Sequence, residues 1–365
     1  MNTNTSRQNP AEWDGDAQLL SHTARDLPMG RHQFHKERLM DRIQQEQRTR
    51  TAAVPEKAGR FRLPRPAIVL PAVAVAAALT GAVIAVVAMP AGSGAGSGGV
   101  ATGPALTTTI GAATTKGVPQ LLDRISLAAA ETSHPAVKPG QYIYIESRTA
   151  DTFTKSVGDK TTLASHELHR RQIWNSPDGT KGWLIDPAVN DSPEGETLSL
   201  PDEQGNPRKA GLNGPSYDYL AKLTTDPDAL LAKIYKEEKG HGNSPDQQAF
   251  TTIGDLLGES YPPAELYSAL FKAAAKIPGV VVVQDAVDAV GRHGVAVARL
   301  DETSGEREEW IFDRKSHVFL GERSVQVKET SGEDSVIKPG TVTYTSAIMN
   351  RAIVDGIKQT PSQAG

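Results

Sequence analysis

The longest uninterrupted apolar run of the chain is AIVLPAVAVAAALTGAVIAVVAM, from Ala67 to Met89, in which Thr80 is the one clearly polar side chain. As a helix it would measure about 35 Å, enough to cross a hydrocarbon core of about 30 Å with modest tilt. Pro71 falls in the first turns, where its missing N–H costs little. The pattern predicts a transmembrane helix over 67–89. Arg60, Arg62 and Arg65 precede the run and no charged residue follows it until Lys116. Under the positive-inside rule the N-terminus therefore stays in the cytoplasm and the remainder lies outside the cell membrane. Cleaved signal peptides carry a shorter apolar core behind a short leader, whereas 66 residues precede this one, so an uncleaved single-pass anchor is expected.

Before the anchor lies an arm, residues 1–66, whose first thirty positions are polar and poor in core-forming side chains. From Arg31 to Arg50 the sequence favours a short helix, and Leu39, Met40 and Ile43 fall on one narrow apolar stripe. An isolated helix of this length is marginal in water, which makes the stripe a candidate partner-binding face. His32 and His35 share a face, but no third ligand and no cysteine stand beside them, so no metal site is expected.

After the anchor, residues 90–117 are rich in Gly, Ala, Ser and Thr and read as a flexible linker with a reach of roughly 30 Å. An extracytoplasmic domain is expected over 118–357, followed by a disordered tail at 358–365. It opens on a helical pattern (Leu121, Leu122, Ile125, Leu127, Ala128), then a strand at 141–149 with large apolar groups on both faces. Runs 168–174 and 181–186 flank the turn residues 175–179 and predict a hairpin. Residues 187–215 read as a long surface loop. Asp226 with Pro227, and Ser244 with Pro245 and Gln247, mark two helix starts. A third helix is expected from Pro263 to Ile277. Five strand patterns begin at 280, 295, 307, 317 and 341, with links short enough to require antiparallel neighbours. The fold class expected is α+β: one N-terminal transmembrane helix plus an outer domain with a meandering antiparallel sheet and helices packed on one face.

Charge sharpens this division. Residues 1–66 hold 12 of the 39 Lys and Arg but only 8 of the 43 Asp and Glu, so the arm is basic and the rest acidic. Basic residues are not clustered with aromatics, so no nucleic acid partner is expected. The absence of cysteine excludes disulfides and thiolate chemistry. No nucleophile elbow, phosphate loop or H-E-x-x-H run occurs, so the chain is expected to be no enzyme and to need no cofactor. His166 and His169, three apart on a strand, are expected on opposite faces as surface residues. Tyr142, Tyr144, Trp183, Trp310 and Phe312 are candidates for lining an apolar ligand cavity.

The two-tyrosine strand, the W-N-S-P-D-G-T-K-G-W hairpin at 174–183, and the runs E-W-I-F-D (309–313) and F-L-G-E-R (319–323) resemble an uncharacterised family of actinobacterial single-pass membrane proteins. Members are often encoded beside extracytoplasmic-function sigma factors. In that family the arm looks like Leu27, Pro28, Gly30, Arg31, His32, Lys36 and Leu39 here. The order of elements is also similar to the half-barrels of lipoprotein carriers and envelope-stress regulators. The resemblance implies an envelope sensor or regulator in signalling, with a cytosolic sigma factor as partner. Zinc-type anti-sigma proteins use cysteines that this chain lacks, so such binding would be metal-independent. In the sensor reading the outer domain meets an envelope ligand or protein; the alternative is a tethered extracytoplasmic module that binds an envelope lipid or cell-wall component.

Overall fold

The computed structural model describes residues 100–131, 135–157, 160–190, 192–198, 209–330 and 335–361. The arm helix with Leu39, Met40 and Ile43, and the membrane run 67–89, lie outside the described residues. Among those described, no helix is long and apolar enough to cross a membrane.

The described residues form an α+β unit. Its strands are β1 (Thr102–Gly103), β2 (Ala113–Thr114), β3 (Tyr142–Val157), β4 (Lys160–His166), β5 (His169–Asn175), β6 (Gly182–Ile185), β7 (Glu196–Thr197), β8 (Val280–Val287), β9 (His293–Leu300), β10 (Glu306–Phe312), β11 (Phe319–Gln326) and β12 (Val342–Val354). Helix α1 is Val118–Glu131, α2 Tyr217–Leu220, α3 Pro227–Glu237, α4 Pro245–Glu259 and α5 Ala264–Ala274. The pairing is antiparallel throughout, in the order β2-β8-β9-β10-β11-β12-β3-β5-β6-β7, with β4 on β3 and β1. The five C-terminal strands meander as their short links require, and β12 then closes against β3.

Both helix starts form as their side chains dictate. Asp226 accepts the N–H of Ala229 at 2.8 Å ahead of Pro227, and Ser244 accepts that of Gln247 at 3.1 Å ahead of Pro245. Leu230, Ile234, Phe250, Ile253, Leu266 and Leu270 then pack on Val280, Val297, Trp310 and Phe312 from the sheet. Phe250 stacks on Trp310 with centroids 3.8 Å apart, next to Gly254, where an added Cβ would stand 2.5 Å from the indole nitrogen. Helix α1 buries Leu121, Leu122 and Ile125, while Leu127, expected inside, is 63% exposed.

The opposite face of the sheet is closed by both flanks of the domain. Residues 100–117, expected as free linker, instead cross that face as a strap. Thr102 and Gly103 pair with His166 and Ser165, Leu106 accepts the N–H of Val342 at 2.9 Å, and Thr108 donates to Gly340 at 2.8 Å. Gly111 lies against Val283, and β2 pairs with β8. Small residues suit the role because the backbone must approach the sheet closely. At the other flank Trp174 donates to the carbonyl of Gln359 at 2.6 Å, and the Lys358 ammonium sits 4.5 Å from the ring of Trp183. The docked chain thus runs past 358, the expected start of a disordered tail.

Beside the strap lies a buried charge triad. Arg307 and Glu309 share a face of β10, and Arg323 stands directly across on β11. The Glu309 carboxylate takes the Arg307 Nε–H at 2.8 Å and that of Arg323 at 2.7 Å, and Arg323 also donates to the Thr108 hydroxyl at 3.3 Å. All three residues are at least nine-tenths buried. Removing the shared carboxylate leaves two guanidinium groups without their counter-charge. Glu309→Gln is therefore expected to lose about 3–5 kcal/mol, read from the midpoint of urea unfolding; a loss below about 1 kcal/mol would show the triad to be dispensable.

Candidate functional site

Residues directly opposite one another on paired strands point to the same face. One such row runs Trp310, Glu322, Ser346, Thr149 and His169 across β10, β11, β12, β3 and β5. It starts under the helices and ends beyond them, and the chemistry changes along it from aromatic to ionisable. The helix-side faces of β12, β3 and β5 are therefore the candidate site.

The proposed cavity aromatics do not meet there. Trp310 and Phe312 belong to the core beneath the helices, whereas Tyr144 packs on Trp174, with Tyr142 and Trp183 around them, on the other face. On β3 the even positions Tyr142 and Tyr144 face away from the helices, so the five side chains cannot line one cavity.

His166 and His169 also stand differently from expectation. A break at Glu167 and Leu168 separates β4 from β5 and shifts the pairing with β3 by one residue, since Thr152 faces Ser165 but Thr149 faces His169. That extra residue brings both histidines to the same face, edge to face with centroids 6.3 Å apart, and His169 is 8% exposed. His166 Nδ1 lies 2.9 Å from the carboxylate of Asp151. His169 Nδ1 donates to the Glu167 carbonyl at 2.9 Å, while its Nε2 faces the Thr149 hydroxyl and the Asp186 carboxylate, each at 3.0 Å. Among the described residues no three His or carboxylate groups converge as metal ligands.

Asp186 is the hub. The turn after β6 holds it, since its N–H donates to Asn190 Oδ1 at 2.8 Å and its carboxylate accepts the Ala188 N–H at 3.0 Å. Arg171 donates to the same carboxylate at 2.8 Å and reaches Glu259, at the end of α4, at 3.7 Å. Burial opposes the charge of Asp186, but the bond from His169 and the charge of Arg171 overcome it and hold the carboxyl down at about 2. Burial likewise opposes the Arg171 charge, and Glu259 and Asp186 sustain it. The Tyr344 phenol is pushed well above its usual range by burial and then by Glu322 and Glu259.

Between these groups lies a small recess. Arg171, Glu259, Glu322 and Tyr344 give it a polar wall, and Ile145, Ile173 and Ile348 an apolar one. Reading the chain alone missed Asp151, Arg171, Asp186, Glu259, Glu322 and Tyr344. The alternation of His169, Arg171 and Ile173 with Arg170, Gln172 and Trp174 is the signal that β5 carries polar groups on both faces. No protein-family model matches this sequence, and no curated protein is significantly similar to it.

The depressed carboxyl of Asp186 makes a testable contribution to stability. It is fully present above the ordinary Asp value of 3.8 and is lost as pH falls through about 2, because the unfolded chain takes up the proton first. We expect acidification from pH 4 to 2 to remove on the order of 2 kcal/mol more stability from the native chain than from Asp186→Asn. Urea unfolding at each pH checks this, and equal acid sensitivity would count against the assignment.

Proposed function

We propose that this chain is a single-pass membrane protein of the cell envelope that acts as a sensor or regulator, with its arm in the cytoplasm and its α+β domain outside. The apolar run 67–89 and the arginines before it support the topology. The observation that carries the sensor reading is the strap. Were residues 90–117 a free linker, an event in the domain would be lost in a random coil before reaching the anchor. Because the chain pairs with the sheet from Thr102 onward, only about a dozen residues separate that pairing from Met89. A ligand or protein held by the outer domain is thereby coupled closely to the anchor, and the stripe Leu39, Met40 and Ile43 carries the response to a sigma factor without any metal. The reading assigns no catalysis and no cofactor.

The second reading, a tethered module that binds an envelope ligand, draws support from the polar recess. Its charged wall favours a polar cell-wall component over a lipid tail. The two readings are compatible, the module being the receiving half of the sensor.

Capture from solubilised membranes tests the arm. Full-length wild type should retain a sigma factor identified by mass spectrometry, and Leu39→Asp/Ile43→Asp should lower its recovery about tenfold or more. Equal recovery by both would remove the proposed face.

A further inference from the structure

We infer that the histidine pair at the break between β4 and β5 is a pH-sensitive latch, which holds the start of the strap on the sheet while its imidazoles are charged and releases it as they become neutral. This names the signal in the sensor reading above, on which it rests, as a change in proton concentration outside the membrane. The start of the strap is held by the end of β4. The Glu167 N–H donates to the Ala101 carbonyl at 2.9 Å, Thr102 and Gly103 pair with His166 and Ser165, and the Ser165 hydroxyl donates to the Pro104 carbonyl at 2.7 Å. Residues 165–169 thus carry the strap on their backbone and both histidines on their side chains.

The contacts of His169 call for two ring protons. Its Nδ1 lies 2.9 Å from the Glu167 carbonyl and its Nε2 3.0 Å from the Asp186 carboxylate, and neither oxygen can donate. A neutral ring has one N–H. If Nδ1 keeps it, Thr149 can donate to the bare Nε2, but the Asp186 carboxylate then stands against the lone pair. If Nε2 keeps it, the Glu167 carbonyl loses its donor. Glu167 is also the residue whose N–H holds Ala101, so a shift of the ring passes directly to the strap. His166 acts in the same sense. Its Nδ1 is 2.9 Å from Asp151, whose second carboxylate oxygen is buried with no hydrogen-bond partner, so charge on the ring offsets the burial of that carboxylate. Each ring has its own carboxylate, which counters the repulsion between two charged rings 6.3 Å apart.

The charged groups around the pair are Asp151 from β3, Asp186 from the turn after β6, Arg171 from β5 and, beyond it, Glu259 from α4. Asp186 and Arg171 keep their charges throughout the range in which imidazoles titrate, and residues 100–104 of the strap have no titratable side chain. Ring protons therefore favour the docked strap, and docking weakens as pH rises from about 5 to about 8.

Hydrogen exchange of the full-length protein in detergent, corrected for the intrinsic pH dependence of amide exchange, tests the latch. Protection of the Glu167 amide and of the segment 101–106 should fall about tenfold or more between about pH 5 and about pH 8, while that of β9 and β10 stays level. In His166→Gln/His169→Gln the same protection should be low at both pH values; His169→Gln alone serves if the double variant melts early. His293→Gln removes an exposed imidazole on β9 and should keep the wild-type response. Wild-type protection that does not change with pH, or an equal fall in the Gln variants at 166 and 169, overturns the inference. Sigma-factor capture reads the arm alone, so the latch and the partner can each fail while the other stands.

Discussion

A twelve-stranded antiparallel sheet with helices on one side has a second face that must also be kept from water, and the rest of this domain depends on how that face is covered. No helix does it. The N-terminal strap crosses the half that holds Val283, Ala296, Ala298 and Ile311, and the C-terminal segment to Gln359 docks on the half that holds Tyr144 and Trp174. Extended chain can do this because its own N–H and C=O groups find partners in the turns and strand ends it passes, as Thr108 does with Gly340. The buried Arg307–Glu309–Arg323 triad makes the covering specific. Its charges are tolerated out of water because each guanidinium meets the shared carboxylate and Thr108 of the strap accepts one remaining N–H.

The helix-side face is divided by where the helices stop. Under α4 and α5 the sheet presents Val297, Trp310 and Phe312; past the end of α4 it presents Ser147, Thr149, His169 and Arg171. Polar groups here are held from water and must be paired: Asp186 meets His169 and Arg171, Glu259 reaches Arg171, and the Thr149 hydroxyl bonds to His169.

What could be read from the chain, and what could not, follows from the kind of signal each feature leaves. Helix starts at Asp226 and Ser244 and the five C-terminal strands were legible because caps, proline and alternation are local. The strap was not, since a segment held by backbone hydrogen bonds has the same Gly, Ala and Thr composition as one held by nothing. The aromatics misled for a related reason. Tyr144 and Trp310 look alike in a list of large apolar residues, and only the strand register shows that they face opposite ways. A single extra residue at Glu167–Leu168 likewise reversed the expected relation of His166 and His169, and no composition encodes such a shift.

The candidate site lies where two incomplete coverings meet. Helix α4 ends at Glu259 before the sheet does, and its terminal carbonyls must be met by something. Arg351 from β12 meets two of them, while Glu259 turns toward Arg171 on β5, so the helix end is joined to the uncovered strands by charge and not by apolar packing. A longer helix would have covered the Tyr344 side of this space and left no recess. Its early end leaves carboxylates, a phenol and isoleucines around a space that no described side chain fills, which is the physical condition for a ligand to compete with water there.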